Sequence, residues 1–236
     1  MGTITKTLRG VGAGTATITA TDGTEKNTVT AEVECEATVT GSFNTHHEGA
    51  GTYYGGRTGV ITFTYTSPDP SNPVDPTDIS LNIVGDTNHE VTIENRQNAS
   101  GSIEFQALYN PPYGKGTPGT FQIQAVYNGV VLDTMNYYAI DAHPNPAYPD
   151  LEQEETVSVV VNYTPTTIPY EHFFCTYTDS EGNLTFNYSS DTPGVLNLDI
   201  TDHGGETIII VDVWYSEMGS HDRMIQGEPV TSISCS

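Results

Sequence analysis

Gly14-Thr15-Ala16-Thr17-Ile18-Thr19-Ala20-Thr21-Asp22-Gly23 runs into a tight turn, and the chain returns through Asn27-Thr28-Val29-Thr30-Ala31-Glu32-Val33. Ala16, Ile18 and Ala20 alternate with four threonines, which is the two-residue period of a strand with one buried and one wet face. Val29, Ala31, Val33 and Cys35 repeat that period on the way back. Asp22-Gly23 supplies the positive backbone angles that a hairpin turn requires. A β-hairpin is expected here, and only nine residues precede the Gly10–Ala20 run that leads into it.

The same alternation recurs along the chain. It runs through Ile61/Phe63/Tyr65, Ile79/Leu81/Ile83, Val91/Ile93, Ile103/Phe105/Ala107 and Phe121/Ile123/Ala125/Tyr127. It resumes at Val157/Val159/Val161/Tyr163, Phe173/Cys175/Tyr177, Leu184/Phe186/Tyr188 and Leu196/Leu198/Ile200. No segment holds helical periodicity over three turns; Asp150 at most caps a single turn. The spacing predicts an all-β chain of sandwich modules, each sheet with one face turned inward.

The run Gly-Val-x-Ala-Gly-Thr-Ala-x-Ile-Thr-Ala at Gly10–Ala20 resembles the closing hairpin of bacterial immunoglobulin-like domains of group 2. The resemblance covers about 35 residues and implies an immunoglobulin-like β-sandwich fold. It also implies strands ahead of the hairpin that this chain lacks, so the first module is expected to be incomplete. Gly119-Thr120-Phe121-Gln122-Ile123-Gln124-Ala125, with Asn128-Gly129 as its turn, matches Gly14–Ala20 at the Gly, Thr, Ile and Ala positions. A weaker third copy begins Gly205-Glu206-Thr207-Ile208 and continues Ile209-Ile210-Val211, a continuous apolar run that suggests burial on both faces. Each copy is read as the last hairpin of a module, which divides the chain into 1–40, 41–145 and 146–236. Proline-rich residues 143–149 are the expected linker, and residues 67–76 an acidic loop.

Seven basic residues stand against 30 acidic ones, a formal net charge of −23 at pH 7. That balance argues against nucleic acid and anionic membrane as partners, since both require basic clusters. No stretch approaches the roughly 20 apolar residues of a membrane span, and residues 1–14 carry no apolar core of a signal peptide. The chain is then expected to act where it is made, to leave by virion release, or to be a fragment whose Met1 was added. Cys35, Cys175 and Cys235 lack metal-type spacing; they read as reduced thiols, with a Cys175–Cys235 disulfide as the alternative.

No cofactor or metal is expected. His46-His47-Glu48 is the densest potential ligand group, but adjacent residues of an extended chain point to opposite sides. Asp69, Asp75 and Asp78 with Asn72 offer oxygen ligands for calcium, though four prolines restrict their convergence. Asp202-His203, His221-Asp222 and Glu171-His172 lack a nucleophile motif, and no phosphate-cradling loop occurs, so no catalysis is expected. The tyrosines are the more informative side chains, because a loop tyrosine stacks sugars or anchors a protein interface. Tyr53, Tyr54, Tyr109 and Tyr113 are the candidate protein or glycan contacts, the last two within residues 109–116, which read as an exposed recognition loop.

An open hairpin edge invites pairing with another chain. The leading expectation is a structural virion protein of a tailed bacteriophage: an auxiliary or decoration protein of the head, or a fibre or tail component. It would assemble with copies of itself or other virion proteins, as a homo-oligomer. The alternative is a bacterial cell-surface adhesin or carbohydrate-binding module. A third reading, a glycan-cleaving enzyme, would need a paired-carboxylate cleft that the sequence does not reveal.

Overall fold

A computed structural model describes residues 14–21, 26–33, 38–68, 71, 73–152, 154–177, 184–204, 209–219 and 229–235; for the first two stretches it describes the backbone path alone. The described residues form strands, turns and two short 3-10 segments, Pro76–Asp78 and Tyr170–His172. The chain is all-β, as expected.

β1 (Gly14–Thr21) and β2 (Lys26–Val33) pair antiparallel as a two-stranded sheet of their own. Ala16 is opposite Ala31 and Ile18 opposite Val29, so the alternating apolar positions coincide in register. The Asp22-Gly23 turn and Cys35 lie outside the described residues.

The next eight principal strands make an immunoglobulin-like sandwich. One sheet is built from β3 (Thr40–Phe43), β6 (Ile61–Thr66), β9 (Ser102–Tyr109) and β8 (Val91–Ala99), in that order, with the two-residue β5 (Gly56–Arg57) also on β9. The other holds β7 (Ile79–Val84), β10 (Gly119–Tyr127) and β11 (Val130–Asn145), with β4 (His47–Gly51) parallel to β11. This is the A-B-E-D and C-F-G strand order of the immunoglobulin fold, the first strand switching sheets to run beside the last.

A second sandwich repeats it. The far end of β11 pairs with β12 (Thr156–Thr164), followed by β15 (Val195–Asp202) and β14 (Leu184–Ser189). Opposite lie β13 (Phe173–Tyr177), β16 (Ile209–Tyr215) and β17 (Thr231–Cys235). β11 is therefore the last strand of one sandwich and the first of the next.

Its side chains divide between two cores. Met135, Tyr137 and Ala139 enter the first, beside Phe63, Phe105 and Ile123. Tyr138, Ile140 and Ala142 enter the second, beside Val161, Leu198 and Val213. Alternate residues of a strand point to opposite faces, so one uninterrupted segment serves both. A strand buried on both sides reads as a continuous apolar run, here Tyr137-Tyr138-Ala139-Ile140.

The expected linker is in part strand. His143, Pro144 and Asn145 belong to β11 and stand opposite Asn162, Val161 and Val160. At that level β12 is, among the described residues, the only strand paired with β11, so the proline lies on an edge, where a missing N–H costs little. The run Ile209-Ile210-Val211 is also not buried on both faces. Ile209 and Val211 enter the core while Ile210 is 41% exposed, in ordinary alternation. Cys175 and Cys235 are both free. They sit on strands flanking β16 from opposite sides, against Val213 and Ile209, so β16 separates them and no disulfide joins them. Burial pushes the Cys175 thiol up to about 12 and the Cys235 thiol up to about 11, which keeps both protonated.

Because both cores depend on β11, Ile140→Ala, at a fully buried position, is expected to cost about 2–5 kcal/mol. Chemical denaturation should show both sandwiches unfolding earlier; two separate transitions of which only one moves would contradict this coupling.

Candidate functional site

The turn after β4 places two tyrosines in solvent. Gly55 closes that turn at φ +76°, its N–H donating to the Gly51 carbonyl at 3.1 Å. A Cβ on Gly55 would lie 2.3 Å from the Tyr109 carbonyl oxygen, so both the angle and the close approach require glycine. The loop after β9 lies against this turn: the Gly114 N–H donates to the Tyr53 carbonyl at 3.0 Å. Gly116 is packed as tightly, a Cβ there falling 2.4 Å from the Thr52 carbonyl.

Two loops remote in sequence thus bring Tyr53, Tyr54 and Tyr113 together. Their ring centroids are 4.7, 4.9 and 5.7 Å apart, edge to face. The hydroxyls of Tyr53 and Tyr113 share a 3.0 Å hydrogen bond, the main cause that raises the Tyr113 hydroxyl to about 12. The rings are 51%, 65% and 68% exposed. Tyr109, expected beside them, is not on the surface. It is fully buried in the first core, and its hydroxyl donates to Glu90 at 3.1 Å. Tyr109 belongs to the buried parity of β9, with Ile103, Phe105 and Ala107. It supports the loops and cannot touch a partner.

Tyr53 and Tyr54 also rim a groove of about 750 Å³ where the two sandwiches meet. β11 forms its floor through Asp141 and His143, and the outer face of β16 and β17 forms the far wall through Ile210, Asp212 and Ser232. The Asp141 carboxylate accepts from Thr52 Oγ1 at 3.3 Å and faces His143 Nε2 at 3.1 Å. Asp212 accepts from Ser232 Oγ at 2.6 Å across the register pair joining β16 to β17. Nothing local in the sequence marks these two aspartates; they meet because β11 carries one sandwich onto the other.

His46-His47-Glu48 lies elsewhere on the junction and acts as an interlock. Glu48, 2% exposed, accepts from Ser216 Oγ at 2.8 Å and Thr45 Oγ1 at 3.2 Å. Glu217 Oε2 accepts from the N–H groups of His46 and His47 at 2.6 and 3.1 Å. The His47 ring stacks on His172 at 5.0 Å, and its Nδ1 lies 3.0 Å from the Tyr138 hydroxyl. Among the described residues no three His, Cys, Asp or Glu side chains converge as metal ligands would. Of the acidic loop, Asp69 and Asn72 lie outside the described residues. Asp75 caps the 3-10 turn, accepting from the Thr77 N–H and hydroxyl at 2.8 and 2.6 Å.

No family model and no curated protein matches this chain. Solved structures resemble it weakly. The Escherichia coli adhesin FdeC aligns with TM-score 0.30 and 13% identity over 95% of this chain and 74% of its own. The Yersinia pseudotuberculosis adhesin InvE aligns with TM-score 0.25 and 17% identity over 84% and 58%. The D00-D0 domain of intimin aligns with TM-score 0.31 and 8% identity over 84% and 100%. Likeness at this level says nothing about a ligand, and the immunoglobulin-like assignment rests on strand order.

The interlock makes the junction sensitive to acid. Burial lowers the His47 imidazole below its ordinary value of 6.5, and the neighbouring His172 lowers it further. Burial acts upward on Glu217, but the His46 N–H and the nearby imidazoles outweigh it and hold that carboxyl below its usual range. The unfolded chain therefore binds more protons, and stability present above pH 6.5 is lost as pH falls through the folded values. Urea midpoints should fall between about pH 7.5 and 5, and His47→Gln should flatten the upper part of that fall. A midpoint that is level across the window would contradict it.

Proposed function

We propose that the chain is a binding module of a bacterial cell-surface adhesin, which grips its partner with Tyr53, Tyr54 and Tyr113 at the mouth of the junction groove. Binding rather than catalysis is part of this proposal. The observation that carries it is the packing of three exposed rings into one patch beside a concavity. Single exposed aromatics are ordinary on any surface, but three held together in water lose hydrophobic free energy that a partner would recover. Tyrosine suits that use, pairing a large rigid face with a polar tip.

Support for a second reading comes from β1 and β2. Among the described residues they form a sheet of two strands, and an isolated two-stranded sheet is at best marginally stable. The hairpin would then be the closing part of a group 2 immunoglobulin-like module completed by another copy. That is the assembly expected of a structural virion protein of a tailed phage.

Tyr54→Ala and Tyr113→Ala, both at exposed positions, should leave folding intact and weaken attachment of the purified chain to mucin-coated and epithelial surfaces by about tenfold or more, the effect of an interface hot spot. Unchanged attachment would sink the adhesin reading. Light scattering separates the second reading. A closed oligomer that dissociates without residues 1–33 supports strand sharing, and a monomer with or without them rejects it.

A further inference from the structure

We propose, on the reading of the tyrosine-rimmed groove as the contact site, that its ligand is an uncharged oligosaccharide and that the groove excludes acidic sugars. The two walls differ in the way a pyranose ring does. Tyr53 and Tyr54 contribute aromatic surface, the kind on which the C–H face of a sugar packs, and Ile210 adds aliphatic surface. Asp212 stands two residues from Ile210 on the same outer face of β16. One of its oxygens accepts from Ser232, while the other has no partner among the described residues, and Asp212 lines the groove. A carboxylate accepting from a hydroxyl makes one of the stronger hydrogen bonds open to a neutral ligand. A volume of about 750 Å³ lies within the usual size of a small-ligand site, roughly 300–1,000 Å³.

Charge decides the sugar class. The described groove residues include Asp141 and Asp212 and no Lys or Arg. A uronate or sialate would meet two carboxylates, and like charges repel. A basic peptide fits less well than its charge suggests. Asp141 is already engaged by Thr52 and His143, and Asp212 by Ser232, which leaves one free oxygen. That satisfies a hydroxyl and falls short of the fork of acceptors that a guanidinium takes.

The test is surface plasmon resonance of the full chain against immobilised gluco-, manno- and galacto-oligosaccharides and matched uronate and sialylated series. At least one neutral series should bind, every acidic one about tenfold or more weakly. Asp212→Asn keeps the shape and one acceptor while removing the charge. It should weaken neutral binding by about three- to tenfold, through loss of the charge-assisted hydrogen bond, and narrow the acidic penalty. Tyr54→Ala should cost about tenfold. Acidic sugars binding equally, an unchanged neutral-to-acidic ratio in Asp212→Asn, or no neutral oligosaccharide bound would each overturn the proposal. If sugars fail while Tyr54→Ala still abolishes surface attachment, the ligand is a protein and the binding function stands; if attachment is also unaffected, both fall.

Discussion

Both sandwiches depend on one strand facing two cores. β11 delivers Met135, Tyr137 and Ala139 to the first sandwich and Tyr138, Ile140 and Ala142 to the second, with no residue between them left for a hinge. A flexible linker would let two immunoglobulin-like units swing independently. Here an unbroken strand is hydrogen-bonded to β10 and β4 on one side of the boundary and to β12 on the other. The angle between the units is set by the ladder itself.

The other junction contacts reinforce that angle. β4 pairs with β11 and also bridges to Ser216 through Glu48, so the first sandwich grips the second from a second direction. A buried carboxylate is costly unless it is well hydrogen-bonded, and Glu48 meets that demand with hydroxyls from both sandwiches. The His47–His172 stack and the Glu217 clamp extend the same seam to the surface.

The candidate site is a by-product of this rigidity. The groove exists because the loop after β4 is held over the outer face of β16 and β17, and its floor is β11. Its aromatic rim is built by two glycines, Gly55 and Gly116, whose missing side chains let the loops close on each other and on Tyr109. Tyr109 carries the rim from beneath, anchored in the core and tied to Glu90. Recognition surfaces placed on rigid supports lose less ordering entropy on binding.

For β6 to β10 and β12 to β15, strand identity and inward parity were legible in the sequence, as was the exposure of Tyr53, Tyr54 and Tyr113, whereas the apolar run of β16 concealed its alternation. All three follow from local alternation and from glycine and proline in the turns. The same parity counted forward from Ile103 would also have placed Tyr109 inside; its position beside a Pro-Pro loop concealed that. The double role of β11, the separation of Cys175 from Cys235 and the meeting of Asp141 with Asp212 were decided only in three dimensions. Alternation says which face a residue takes, but not which sheet lies against that face. Where one strand ends two sandwiches at once, long-range packing alone supplies the answer.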